Sequence, residues 1–137
     1  MRIIILDLQS QLYAKAVRRM LAQDIGGDNI VIVNTPEETP DVCRVMQPYA
    51  LLMEVTAYSP WMLSERLNTC SWVRHNAKAC KIVLLVDDVA DKKLAEQVKK
   101  AKQEGRIDAF LFTSATESYL AAVMDSLMKA GIQEEAR

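Results

Sequence analysis

The chain has 137 residues, enough for one domain with its own hydrophobic core. Half of the residues are hydrophobic, 26% are charged and the net charge is −1, so no basic field invites nucleic acid. Three cysteines without CxxC spacing (Cys43, Cys70, Cys80) argue against a disulfide framework or a zinc site, and apolar runs of about five residues fall far short of a membrane span.

In chain order, Ile3-Ile4-Ile5-Leu6 is a β-branched run of the kind that forms a strand covered on both faces, and the residues around it are not expected to act as a secretory leader. From Leu12 to Ala22 the apolar residues Leu12, Tyr13, Ala16, Val17, Met20 and Leu21 follow helical spacing. Gly26-Gly27-Asp28-Asn29 breaks the chain before a second strand, Ile30–Val33. Thr35, Pro36 and Glu38 read as a cap, a first-turn proline and a capping-box acid, while Pro40 after a Thr39 cap is an equal candidate for the helix start. The third strand spans about 50–55 and the third helix runs from near Pro60 to Ala77, carrying Trp61 and Trp72. Ile82–Val86 is the fourth strand. Asp91–Glu104 is an amphipathic helix with Leu94, Val98 and Ala101 facing inward, closed by Gly105. Ala109–Phe112 is the fifth strand. Ser114 and Glu117 have capping-box spacing before a last helix with Leu120, Val123, Met124 and Leu127 on its buried stripe. The domain is expected over residues 1–130, with 131–137 a polar C-terminal tail.

Strand and helix thus alternate five times. Continuous apolar strands in that pattern predict an α/β fold: one doubly wound, parallel five-stranded sheet, flavodoxin-like, in the order 2-1-3-4-5, with helices on both faces. Three of the runs end on acids: Asp7, Glu54 and Asp87. In a parallel sheet the carboxyl ends share one edge, where ligands of such folds bind. These acids are therefore expected to converge on a rim without a positive side chain. Clustered carboxylates repel unless a cation sits among them, and magnesium is the candidate, held by Asp7 and Glu54.

These residues resemble the receiver domain of bacterial response regulators over about residues 1–128. "RIIILDL" is similar to that family's first strand with its acidic end, "PYALLMEV" to its third strand, and "DAFLFTS" to its fifth strand. The resemblance implies a phosphoacceptor aspartate after strand three, an acid pair holding magnesium after strand one, a hydroxyl after strand four and a lysine after strand five. Carried over, the phosphoacceptor position falls on Glu54 and the acid pair on Asp7 and Leu8. The hydroxyl position falls on Val86 or Asp87, the lysine on Thr113, and the switch aromatic on Phe110. Only the first acid and the aromatic are kept. Phosphoryl transfer needs in-line attack with charge neutralised by a metal and a cation, so little or no phosphorylation is expected at Glu54. Glu54 is then either a mimic of the phosphorylated state or a structural relic.

No glycine-rich phosphate loop follows strand one, and the sole histidine, His75, stands outside the strand-end cluster. The resemblance implies a non-enzymatic, cytoplasmic signalling domain of the two-component type, an atypical or pseudo-receiver. Its partner would be a histidine kinase, an output domain or a second copy, met through the face made by the fourth helix, fifth strand and fifth helix. It would contact neither nucleic acid nor membrane. The competing reading is a small-ligand or divalent-metal domain that uses the acidic cluster.

Overall fold

The computed structural model describes residues 2–113, 122–124 and 126. Its strands are β1 (Ile4–Asp7), β2 (Ile30–Ile32), β3 (Ala50–Val55), β4 (Lys81–Val86) and β5 (Ala109–Phe112). They form a sheet in the order β2-β1-β3-β4-β5, with every pairing parallel. Ile4 stands beside both Ile30 and Ala50, and Glu54 stands beside Leu85. All strands therefore deliver their carboxyl ends to one edge, as the alternation of elements predicts.

The helices are α1 (Gln11–Ile25), α2 (Thr39–Met46), α3 (Leu63–Asn76) and α4 (Lys92–Gln103). Residues 122–124 and 126 are also helical. Side chains alternate across each strand, so the sheet supplies two cores. Ile5, Leu51, Met53, Ile82 and Leu84 pack beneath α2, α3 and α4 with Cys43, Cys70 and Val98. Ile4, Leu6, Leu52, Val83, Leu85 and Leu111 pack on the other face with Val17 and Leu21 of α1 and with Met124. The strands read as unbroken apolar runs because both faces are covered.

Local details depart from the sequence reading. The buried stripe of α1 is Ala14, Val17 and Leu21, whereas Leu12 is 82% exposed and Ala16 is exposed. The helix starts at Gln11 because Ser10 Oγ accepts the Tyr13 N–H, and this turns Leu12 outward. Pro36–Glu38 forms only a short 3-10 turn, and α2 proper begins at Thr39 with Pro40 in its first turn. Trp61 precedes α3, in a loop closed by Thr56 N–H to Trp61 O and Trp61 N–H to Tyr58 O. Trp72 packs half-buried against the core. The capping box from Ser114 to Glu117, Leu120, Leu127 and the tail 131–137 lie outside the described residues. No helix among the described residues is long and apolar enough to cross a membrane.

The amphipathic α4 matches its sequence reading closely. Asp91 caps it by accepting the Leu94 N–H, and Leu94, Val98 and Ala101 are buried. Gly105, with φ +76°, carries the chain out of the helix. Replacing Asp91 with alanine should cost about 1 kcal/mol, read as a lower urea midpoint with an unchanged slope.

Candidate functional site

The carboxyl edge of the sheet holds a buried charge network. Among the described residues the buried polar side chains are Asp7, Thr39 and Arg66, and all three meet. Asp7 ends β1 on the face covered by α2 and α3. Arg66, on the first turns of α3, is 1% exposed and enters from above. Its Nη1 donates to Asp7 Oδ2 at 2.7 Å, and its Nη2 donates to Asp7 Oδ1 and to the Asp7 carbonyl, each at 3.2 Å. Its Nε donates to the Glu54 carbonyl at 2.8 Å. Thr39 Oγ1, at the start of α2, donates to Asp7 Oδ2 at 2.6 Å. One guanidinium thus joins the ends of β1 and β3 through α3, and Thr39 adds α2. A buried ion pair this well hydrogen-bonded meets the geometric condition for offsetting its desolvation.

The Glu54 side chain stands apart from that network, which its carbonyl joins. It is half-buried, and its Oε1 accepts the Gln9 N–H at 2.8 Å, so its carboxylate ties the end of β3 to the loop after β1. Asp87 is exposed, and its Oδ1 accepts the N–H groups of Val89 and Ala90, which shapes the loop after β4. Glu54, Asp87, Asp91, Gln9 and Tyr58 line a cavity of about 340 Å³. The structure therefore brings Glu54 and Asp87 to a common cavity but holds Asp7 beneath, against a cation.

This corrects the expectation of a rim without a positive side chain. The missing signal was Arg66 itself, a charged residue on the apolar stripe of α3 with Leu63, Leu67, Cys70 and Val73. Long cations at such positions usually extend to water, but Arg66 lies three residues after Leu63 and four before Cys70 and so must face inward. Thr39 was also missed as a site residue. Its only sequence sign is its spacing of four from the buried Cys43.

Magnesium held by Asp7 and Glu54 does not fit these residues. Both Asp7 oxygens already accept from Arg66 and one also from Thr39. Leu8, at the second acid position of the resemblance, is a buried core residue. Among the described residues no three His, Cys, Asp or Glu side chains group closely enough to hold a metal ion.

The remaining predicted positions lie on or next to β4, β5 and α3. Val86 ends β4 fully buried, and its carbonyl accepts the Thr113 N–H at 3.0 Å. The hydroxyl and lysine positions are thus neighbours, occupied by an isopropyl group and a short half-buried threonine. Phe110 is half-buried, with its ring 5.5 Å from that of Phe112 at 51°. His75 is exposed on α3. The three thiols are free and buried. Burial, with the Asp7 charge, pushes Cys43 up to about 12. Burial pushes Cys70 up to about 12 despite Arg74 and Arg66, and raises Cys80 too, helped by Cys43 and Asp108.

No protein-family model matches this sequence, and no curated protein matches it. Solved structures do. The signal receiver domain of a Luxo repressor protein from Vibrio parahaemolyticus superposes with a TM-score of 0.75 at 12% identity, covering 99% of this chain and 97% of that one. The fold is the receiver fold. A CheY-like receiver domain protein from Methanospirillum hungatei gives the same TM-score at 12% identity, covering 98% of this chain and 99% of that one. A response regulator from Desulfuromonas acetoxidans gives 0.71 at 17% identity, with 95% and 98% covered. These likenesses cover the flavodoxin-like receiver architecture nearly end to end. On the receiver frame, Glu54 stands at the end of the third strand and Arg66 on the helix that follows it.

Proposed function

We propose that this chain is a non-enzymatic signalling domain of the response-regulator type, a pseudo-receiver that acts through protein contact and takes little or no phosphoryl group at Glu54. The observation that carries the reading is the Arg66 guanidinium on Asp7. The carboxylate best placed at the end of β1 is already neutralised, and Glu54 spends one oxygen on the Gln9 backbone. With no acid at Leu8 and no lysine at Thr113, no described residue lining the Glu54 cavity carries a positive charge to neutralise a transferring phosphoryl group.

Contact with protein is supported by the surface. Leu12, Tyr58 and Val89 are 82%, 72% and 74% exposed, and each follows the carboxyl end of a strand: β1, β3 and β4. These exposed apolar side chains follow strand ends at the same edge of the sheet as Glu54, where a protein partner would cover them. A histidine kinase, an output domain or a second copy are the partner classes that the resemblance suggests. The face of α4 and β5 is the other candidate surface, where Lys99 lies 5.7 Å over the Phe112 ring.

The test is addition of acetyl phosphate, or of beryllofluoride, with magnesium while the amide spectrum is recorded. The expected result is no shift at Glu54, Thr113 or Phe110 and no mass increase. Shifts centred on Glu54 and Phe110 would restore a phosphoryl switch and overturn this reading.

A further inference from the structure

Four oxygens converge at the ends of β1 and β3: Asp7 Oδ1, Asp7 Oδ2, the Asp7 carbonyl and the Glu54 carbonyl. Carboxylate and carbonyl oxygens are the ligand set of a hard divalent cation. Here all four accept hydrogen bonds from one side chain. Arg66 reaches them from the opposite wall, itself as buried as the acid it meets. A guanidinium spreads one charge over a planar fork, matching oxygens that stand 2.7–3.2 Å from its nitrogens. A metal ion would need the same oxygens at ~2.0–2.6 Å and could not share the space.

The geometry points to Arg66 as the resident cation of this domain: its guanidinium fills a four-oxygen site, excludes divalent metal ions from it, and leaves a hard-cation site behind when it is truncated. The charge of Asp7 is thus permanently balanced and does not depend on the metal supply of its surroundings. A carboxylate as buried as Asp7 requires some cation, and α3 supplies one covalently attached. A wild-type protein that bound metal at these oxygens yet ignored acetyl phosphate would sink the resident-cation role while leaving the proposed function intact.

Manganese titration of the full chain, followed by paramagnetic broadening of amide signals, is the test. In the wild type the amides of Asp7, Leu8 and Val55 should keep their line widths at millimolar manganese. In R66A the same amides should broaden selectively, and magnesium or calcium should raise the melting temperature of R66A but not of the wild type. R66K, which keeps a cation on the same helix, should behave as the wild type does. Broadening at Asp7 and Leu8 in the wild type overturns the inference, as does a folded R66A that shows none. If R66A does not fold alone, recovery of its helical circular dichroism with magnesium or calcium supports the inference. If it folds under no condition, the wild-type and R66K titrations decide the matter by the same broadening criterion.

Discussion

Replacing Arg66 with methionine is expected to lower the unfolding free energy by about 3–5 kcal/mol, the cost of leaving a buried charge without its partner. At the entropy of unfolding typical for a domain near this size, that corresponds to a fall in melting temperature on the order of 10–20 °C. The loss is a large fraction of the ~5–15 kcal/mol by which domains are stable. It comes from Asp7, which is 2% exposed and would keep only the Thr39 hydroxyl. Removing the acid as well, in D7L/R66M, should return most of the loss, because two apolar groups need no counter-charge. A double-mutant cycle in urea then reads the coupling directly. The Arg74–Asp108 pair at 3.3 Å is the internal control. Its side chains are 36% and 24% exposed, and R74A should cost no more than about 1 kcal/mol. Equal costs for R66M and R74A would remove the special status given to the Asp7 pair.

Alkaline pH should unfold this domain early. Cys43, Cys70 and Cys80 are all held protonated by burial, with the first two raised to about 12. In the unfolded chain a thiol loses its proton near pH ~8.5. Above that pH the unfolded state binds fewer protons than the native state, so stability falls as pH rises. Below it the thiols contribute no slope. Each thiol contributes about 1.4 kcal/mol per pH unit between the unfolded and folded values, so the three together give ~4 kcal/mol per unit. Urea midpoints measured from pH 7 to 10 should be flat at first and then drop. C43A, C70A and C80A combined should flatten the drop, whatever their effect at neutral pH. An unchanged slope in the triple variant would count against the burial account of these thiols.

The architecture was legible because its signals are local and repeated. Ile3–Leu6, Ala50–Met53 and Ile82–Val86 have no polar residue on either face, and only a sheet covered on both sides accepts that pattern. Helix α4 was legible down to its cap because Asp91, Leu94, Val98, Ala101 and Gly105 all give the same answer. The site was legible only in part. Asp7, Glu54 and Asp87 lie at the strand ends, as the alternation demanded, yet what neutralises Asp7 sits 59 residues away on another element. Periodicity places a side chain on a face but does not name its partner. Helix α3 hid the partner in particular, because Leu67, Cys70 and Val73 mark its buried stripe while Arg66, the charged residue among them, carries no local sign that it meets Asp7. Leu12 failed for the opposite reason. Its spacing suited the apolar stripe, but the Ser10 cap set the helix phase.

The Asp7–Arg66 contact also acts as a proofreading device for chain alignment. β1 and β3 are short, and either could slide along its neighbour and still present branched aliphatic side chains. A slide of β1 by one residue would turn Asp7 into the opposite layer among Leu52 and Leu85 and set a leucine against the guanidinium. Every misaligned sheet would then strand two opposite charges in oil, so a single salt link excludes a whole class of near-native competitors.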